Sequence, residues 1–534
     1  MSNVFKKYSI DTTDYQVGQD NVQKWGFDIH NPVFGISAGL ILLFLAAVLV
    51  VDPATAKGAL DKLRNAIIDD FDGLFMWSTN FFLIFTVVLM FSPFGKIRLG
   101  GKDATPDYST TSWIAMLFAA GMGIGLLFWG VAEPTAYFTD WYGTPMNVEP
   151  FTPEAKSLAL GATIFHWGVH GWAIYAIVAL GLAFFAFNKG LPLSMRSVFY
   201  PVFGDRAWGW LGHVIDILSV LATLFGLATS LGLGAQQATS GINYVFGTDG
   251  GIGMQLGVIV FVTLIAIGSV VRGIDGGVKL LSNINMVFAA ALFVFIVAVT
   301  YDVAFASIKD TFLGYVENII PLSNPHGRED EDWMHAWTVF YWAWWISWSP
   351  FVGMFIARVS RGRTVREFLL AVVLIPTLVT MVWMGVFGGI ALDQVINKVG
   401  ELGTKGLTDI SLTLFYVYDQ LPFGSVISII SIALILVFFV TSSDSGSLVI
   451  DSITAGGKVD APVPQRIFWA SIEGAIAGAM LWIGGQEALQ ALQSGVVATA
   501  LPFNFILLLM CFSLVLGLKS EYSAYKPSAM AQSQ

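Results

Sequence analysis

Phe340-Tyr341-Trp342-Ala343-Trp344-Trp345-Ile346-Ser347-Trp348-Ser349-Pro350-Phe351 lies inside an apolar stretch long enough to cross a membrane. Four tryptophans fall within seven residues, 342 to 348. Indoles belong at the membrane–water interface, where water accepts from the N–H, so a cluster at mid-membrane depth needs another reason. At about 100° per residue, Trp345 and Trp348 stand one turn apart on one helical face with Trp344 beside them, and several indole surfaces can face one point. Pro350 cannot donate an amide and leaves a carbonyl of the preceding turn free, which predicts a helix broken beside a site. A stack of tryptophans that only packs helices together is the alternative reading of the same residues.

The rest of the chain places this segment in lipid. Of 534 residues, 55% are hydrophobic and 12% charged, where a soluble domain carries about a quarter charged residues. The mean hydropathy is +0.70. The net charge of −10 collects in an N-terminal arm, with Asp11, Asp14, Asp20 and Asp28, and in connecting loops. That arm has no apolar run and cannot be a cleavable signal, so it is expected to stay cytoplasmic. A single cysteine, Cys511, excludes disulfide and cysteine-metal chemistry by count. No phosphate-binding loop, nucleic-acid surface or separate soluble domain is legible, which excludes an ATP-driven pump and a nucleic-acid partner.

Roughly 20 apolar residues cross the hydrocarbon core. Twelve stretches qualify, near 33–51, 74–93, 113–138, 158–186, 210–235, 252–271, 281–302, 335–357, 368–392, 424–447, 467–484 and 498–518. With the N-terminus inside, the cytoplasmic loops carry fourteen Lys and Arg, among them Lys96, Arg196, Arg358, Arg361, Arg363 and Lys458. The opposite loops hold eight over longer segments, so both termini are expected in the cytoplasm. Residues 303–333 pair Phe312, Tyr315 and Ile319 at helical spacing with the run Glu329-Asp330-Glu331-Asp332, which predicts an interfacial helix followed by a solvated turn.

Two further regions fit poorly with ordinary lipid-facing helices. Gly121-Met122-Gly123-Ile124-Gly125 interrupts the third span with three alternate glycines; it reads as close helix packing or as an unwound stretch whose backbone faces a cavity. Thr441-Ser442-Ser443-Asp444-Ser445, placed at the end of the tenth span, offers hydroxyls for a small hard cation, or hydroxyls bonded back to the preceding turn. Trp167 and Tyr175, about 80° apart around the fourth span, add aromatic surface. Ring faces without a carboxylate beside them suit a quaternary ammonium, which has no N–H to donate and is attracted by about 0.5–2 kcal/mol per ring.

At these residues the sequence resembles the betaine/choline/carnitine transporter family. Trp344 to Phe355, the following Ala357-Arg358-Val359-Ser360-Arg361-Gly362-Arg363-Thr364, and the glycine stretch carry the resemblance, which covers roughly residues 30–518. It implies an all-α integral membrane fold of twelve spans. An arm (1–30) and two peripheral helices with their loop (31–110) precede two inverted five-helix repeats (111–305 and 334–518). An external helix and loop (306–333) join the repeats, and a short cytoplasmic tail (519–534) ends the chain. It also implies a homotrimer in the bacterial inner membrane, in contact with lipid.

By resemblance, Trp167, Tyr175, Trp344, Trp345 and Trp348 form an aromatic cage, with Met122 beside the substrate and Phe340 as a gate ring. Backbone carbonyls of Ala119 and Met122 with the hydroxyls of Thr441 and Ser442 would hold a coupling sodium ion; no other cofactor is implied. A second sodium site would use Thr223 near Phe351, but Leu227 stands where its second hydroxyl belongs, and an aliphatic side chain cannot coordinate a cation. Gly121, Gly123 and Gly125 set specificity. Choline carriers of the family tend to have an acidic residue at the position of Gly125, so its absence ranks the zwitterion glycine betaine first. Dimethylsulfoniopropionate, trimethylamine N-oxide and carnitine follow, with Val352 lowering the rank of carnitine exchange. The short tail implies weak osmotic regulation.

The function expected is secondary active uptake of an osmoprotectant zwitterion by sodium symport with alternating access. Proton-coupled choline uptake and carnitine-type exchange are the near alternatives, and a channel is the alternative of another class. A membrane enzyme would need converging ionisable groups, whereas Glu133, His166, His170, Asp216 and Glu473 are scattered over different spans with no shared motif.

Overall fold

The structure, a computed structural model, describes residues 13–121, 123–272 and 278–525. Two short strands, β1 (Asn21–Lys24) and β2 (Phe27–His30), pair as an antiparallel hairpin. Its two-residue turn, Trp25-Gly26, has positive φ at both positions (52° and 81°), the geometry that matches the twist of paired strands. The remaining architecture is helical. The first half contains α1 (Asn31–Val50), α2 (Pro53–Phe91), α3 (Thr110–Gly121), α4 (Ile124–Phe138), α5 (Pro153–Trp167), α6 (Val169–Lys189), the short α7 (Tyr200–Phe203), α8 (Trp210–Phe246), α9 (Ile252–Arg272) and α10 (Val278–Val299). The second half contains α11 (Tyr301–Ser323), the single turn α12 (Glu331–Trp333), α13 (Phe340–Val359), α14 (Val365–Ile396), α15 (Gly400–Lys405), α16 (Thr413–Asp419), α17 (Gly424–Thr454), α18 (Val463–Gly484) and α19 (Ala488–Tyr525).

Among the described residues nine helical segments are long and apolar enough to cross a membrane, and the pair α10–α11, bent by 106°, adds a tenth when counted as one span. Among the described residues each of the twelve expected stretches is mostly helical, but two fall outside that set for physical reasons. The third is divided into pieces of 12 and 15 residues, and the eighth, α13, is rich in tryptophan, tyrosine and serine. α13 occupies the centre, packed against α6, α8 and α19, while α17 packs against α8.

Several expectations are corrected. α13 is not broken at Pro350: it runs from Phe340 to Val359 behind a π-helical lead, Met334–Val339. The carbonyl that Pro350 cannot satisfy belongs to Ile346, and the Ser349 hydroxyl donates to it at 2.7 Å, so the helix continues. The break occurs instead in the fourth span, at Gly168 (φ −101°, ψ −143°) between α5 and α6. There Tyr315 Oη accepts the freed amide of Val169 at 3.4 Å. Thr441 and Ser442 lie within α17, which continues to Thr454, not at a helix end. Asp330 is not a solvation residue: it is 3% exposed, takes both arms of the Arg328 guanidinium at 2.6 and 2.7 Å, and accepts the amide of Met146 at 2.7 Å.

The arm is also more structured than its polar composition suggests. Asn21 donates to the carbonyl of Ala455 at 2.8 Å, the Asp28 amide donates to Gln465 at 3.2 Å, and Lys458 pairs with Asp28. The ring of Tyr15 stacks on Trp208 with centroids 4.3 Å apart. The buried Arg196 donates to Tyr15 Oη at 2.8 Å and pairs with Asp216 at 3.3 Å. The arm therefore fastens the α6–α8 connection to the α17–α18 connection.

Candidate functional site

Two helix breaks and one continuous helix build the site. Gly123, with extended backbone (φ −155°, ψ −157°), starts α4. The carbonyls of Leu126 and Leu127 in its first turns accept from Trp383 Nε1 (3.3 Å) and Gln237 Nε2 (3.1 Å), which fixes that end of the helix. The break at Gly168 ends α5 on Trp167. α13, packed against α3 and α6, supplies Trp344, Trp345 and Trp348.

These elements enclose a cavity lined by Gly123, Ile124, Gly125, Trp167, Tyr175, Ser230, Trp344, Trp345, Trp348 and Ser442. The centre of a water molecule has about 40 Å³ in which to move there, and roughly 10–15 Å³ suffices for one water. All five expected cage residues thus come together. The Trp167 ring stands at 83° to Trp344 and 74° to Trp345, with centroids 6.0 and 5.8 Å away. Tyr175 lies 4.6 Å from Trp345, and Trp344 meets Trp348 at 78°. Edge-to-face contacts at these distances are also how aromatic rings pack against one another; what sets these rings apart is that all five line one cavity. Phe340 stacks on Trp344 at 5.5 Å and 19° and is fully buried behind it.

Backbone and glycine hold the indoles in place. Trp345 Nε1 donates to the carbonyl of His166 at 2.9 Å and Trp344 Nε1 to that of Gly226 at 3.3 Å. Trp348 Nε1 is buried without a partner among the described residues. A Cβ on Gly125, Gly171 or Gly226 would overlap Trp167, Trp345 or Trp348 respectively, so each indole lies against a bare backbone.

The ion-site residues are brought together less fully. Ser442 reaches the cavity wall, whereas the Thr441 hydroxyl donates back to Val437 and Phe438 at 3.1 and 3.2 Å. Ala119 and Gly121 belong to α3, and Met122 lies outside the described residues. Thr223 donates to the carbonyl of Ser219 at 2.7 Å, Leu227 is fully buried, and Phe351 packs edge-on against Trp348 at 5.4 Å.

Two features escaped the sequence reading. Ser230 adds a second hydroxyl to the wall; it stands seven residues, about two turns, beyond Thr223, which was a usable signal. Glu133 and His166 are not scattered: they meet at 2.8 Å directly behind Trp167. Their 33-residue separation hid this, because only the fold of α4 against α5 brings them together. Asp216 and Glu473 do remain apart, on Arg196 and Ser443.

Lipid-crossing helices around a small aromatic cavity define a multi-pass membrane transporter that handles a small molecule. The sequence profile of the betaine/carnitine/choline family transporters matches residues 32–523, and the chain belongs to that family. It is 78% identical, over 98% of its own length and 94% of the relative, to a glycine betaine/proline/choline/ectoine transporter of Vibrio parahaemolyticus. It is 70% identical, over 98% and 100%, to glycine betaine transporter 1 of the same species. With the glycine betaine transporter OpuD of Bacillus subtilis it shares 42% identity over 90% and 94% of the two chains.

Proposed function

We propose that this chain is a secondary carrier that takes up glycine betaine and similar compact zwitterions as osmoprotectants across the bacterial inner membrane. The observation that carries the reading is the single cavity lined by Trp167, Tyr175, Trp344, Trp345 and Trp348. Aromatic rings around one small volume attract a trimethylammonium group that offers no hydrogen-bond donor. The zwitterion brings its own anion, for which Ser230, Ser442 and the first amides of α4 are available. Dimethylsulfoniopropionate and trimethylamine N-oxide have the same compact charge pair. Proline, choline and ectoine, named for one relative, also carry a cationic nitrogen.

In this reading, uptake is sodium symport, with the ion held by carbonyls of Ala119 and Met122 and hydroxyls of Thr441 and Ser442. The place of Ser442 in the cavity wall supports coupling of ion and substrate at one site. Leu227 argues against a second ion. One co-transported charge gains about 2.3 kcal/mol per 100 mV, enough for accumulation by some tens-fold. Twelve spans with both termini cytoplasmic, two peripheral helices, and two inverted five-helix repeats that alternate access around the cavity complete the proposal, with three copies in the functional unit.

Uptake and counter-flow of labelled glycine betaine in proteoliposomes test it. Saturable accumulation that requires an inward sodium gradient is expected. Uptake unchanged when potassium replaces sodium, but abolished by a protonophore, would move the coupling to protons; non-saturating flux without accumulation would identify a channel.

A further inference from the structure

The buried carboxylate behind the cage has no place in the proposed function as stated. Glu133 of α4 is completely inaccessible to solvent. Its Oε1 accepts from Tyr137 Oη and stands next to His166 Nδ1, both at 2.8 Å, and Tyr137 Oη is also 3.0 Å from that nitrogen. Its Oε2 accepts from Trp167 Nε1 at 2.8 Å and Tyr341 Oη at 2.6 Å. Three donors, joined by Nδ1–H of His166 in the tautomer that gives this proton to Glu133, make the pattern of an ionised carboxylate, which has only lone pairs to offer. His166 Nε2 lies 2.9 Å from the hydroxyl of Thr338, and either atom can be the donor; we take the tautomer in which Nδ1–H is given to Glu133 and the Thr338 proton to Nε2, which leaves the imidazole neutral. Among the described residues no Lys or Arg pairs with Glu133, and Arg328 on that side is engaged by Asp330.

We propose that Glu133 is the fixed negative charge of the binding site, acting on the bound cation through the indole of Trp167. Trp167 lines the cavity with its ring while its N–H points away into the carboxylate. A charge-assisted hydrogen bond at the indole nitrogen pushes electron density toward the ring face that meets the ammonium group. The carboxylate also acts directly: at an effective dielectric of about 20, two unit charges about 8 Å apart change a binding constant by more than about tenfold. Because the ring lies between them, the carboxylate never touches the ligand. A protonated amine therefore gains no salt bridge there, and the quaternary ammonium is not outcompeted by amines that could donate.

The same charge makes Glu133 a specificity-determining residue. It attracts the cation of choline without opposition, while in glycine betaine it attracts the ammonium end and repels the carboxylate. Removing it should therefore harm choline more than betaine. A residue that only held Trp167 in place would weaken both ligands by the same factor.

This inference rests on the betaine carrier reading, and the test separates the two. Betaine uptake and its inhibition by choline are measured in proteoliposomes of the parent, Glu133→Gln and Tyr341→Phe. In Glu133→Gln the inhibition constant for choline should rise by about tenfold and the half-saturating betaine concentration by about threefold or less. Tyr341→Phe removes a donor and keeps the charge, so it should leave the ratio of the two near that of the parent. Should Glu133→Gln fail to reach the membrane, Glu133→Gln with Trp167→Phe removes the N–H that the new amide would face, and its ratio is read against that of Trp167→Phe alone. Equal loss for both ligands, no loss for either, an equal ratio change in Tyr341→Phe, or a parent indifferent to choline would overturn the inference. A parent that does not transport betaine would instead overturn the carrier reading beneath it.

Discussion

Trp345 donates its indole N–H to the carbonyl oxygen of His166 at 2.9 Å, which joins the helix carrying three of the cavity's rings to the last turn of α5. A helix that ends at Gly168 leaves carbonyls of its final turn without helical partners, and here an indole meets one of them. Residues 166 and 167 thus hold two walls of the cavity at once. Trp167 supplies one ring, and the backbone of His166 positions another.

Trp345→Ala and Trp348→Ala should each weaken glycine betaine binding by about 1–3 kcal/mol, the loss of one ring face plus part of its neighbours' alignment. Trp345→Phe keeps a ring and loses the bond to His166, so it should fall between parent and Trp345→Ala. Binding to purified protein, read by calorimetry with membrane yield as the control, checks the order. Parent-like affinity in both alanine variants would remove these residues from the substrate site.

Ser442→Ala should raise the sodium concentration that half-activates uptake by about tenfold, because one of the few oxygen ligands of a hard cation is lost. Thr441→Ala should be the informative partner. Its hydroxyl is given back to Val437 and Phe438, and that proton can stay there while a lone pair faces an ion. Sodium titrations of initial uptake rate decide both; a Ser442→Ala variant with an unchanged sodium dependence argues against the shared site.

Acid should loosen the N-terminal arm. His30 is 1% exposed, with Nε2 3.1 Å from Arg196 and 3.2 Å from His213 Nδ1. Burial, then the Arg196 guanidinium and His213, pushes its pKa from 6.5 down to about 3. A base whose pKa is lowered by docking keeps the docked state fully stable above about 6.5 and loses that stability as pH falls toward 3. At pH 5 the cost is about 2 kcal/mol. Limited proteolysis of residues 13–30 should therefore accelerate between pH 7 and pH 5, and His30→Gln should remove most of that pH dependence.

Legibility in the sequence followed locality. The aromatic wall of the cavity could be read because Trp344, Trp345 and Trp348 are close in the chain and the helical period places them. The break after Gly121 could be read because alternate glycines are a local signal. Pro350 misled for a similar reason: its effect on the backbone is local, but Ser349 compensates it one residue away, and a proline alone does not reveal its compensation. Gly168 gave no warning, because one glycine in a span is most often a packing contact. Glu133, Tyr137, His166, Trp167, Thr338 and Tyr341 form one network over more than 200 residues of chain, and only the packing of α4, α5 and α13 gathers them. The docking of the arm depends likewise on Asn21 and Asp28 meeting residues 455–465.

Gly125 offers the sharpest test of how charge selects the substrate. An aspartate there would add a carboxylate to the cavity wall, and charge alone predicts weaker betaine uptake and stronger choline uptake. The structure adds a steric consequence, since even a Cβ at this position overlaps the outer ring of Trp167. That indole cannot withdraw freely, because its N–H is held by Glu133 at 2.8 Å. Gly125→Ala isolates the steric part and should lower uptake of betaine and choline by a similar factor, about tenfold for a displaced ring. Gly125→Asp should lower betaine uptake at least as far, while the added charge restores part of the choline uptake lost in Gly125→Ala. The choline-to-betaine ratio should therefore rise from Gly125→Ala to Gly125→Asp. Competition between the two labelled substrates in one proteoliposome preparation measures that ratio directly, and an equal ratio in both variants would show that charge at this position does not choose the substrate.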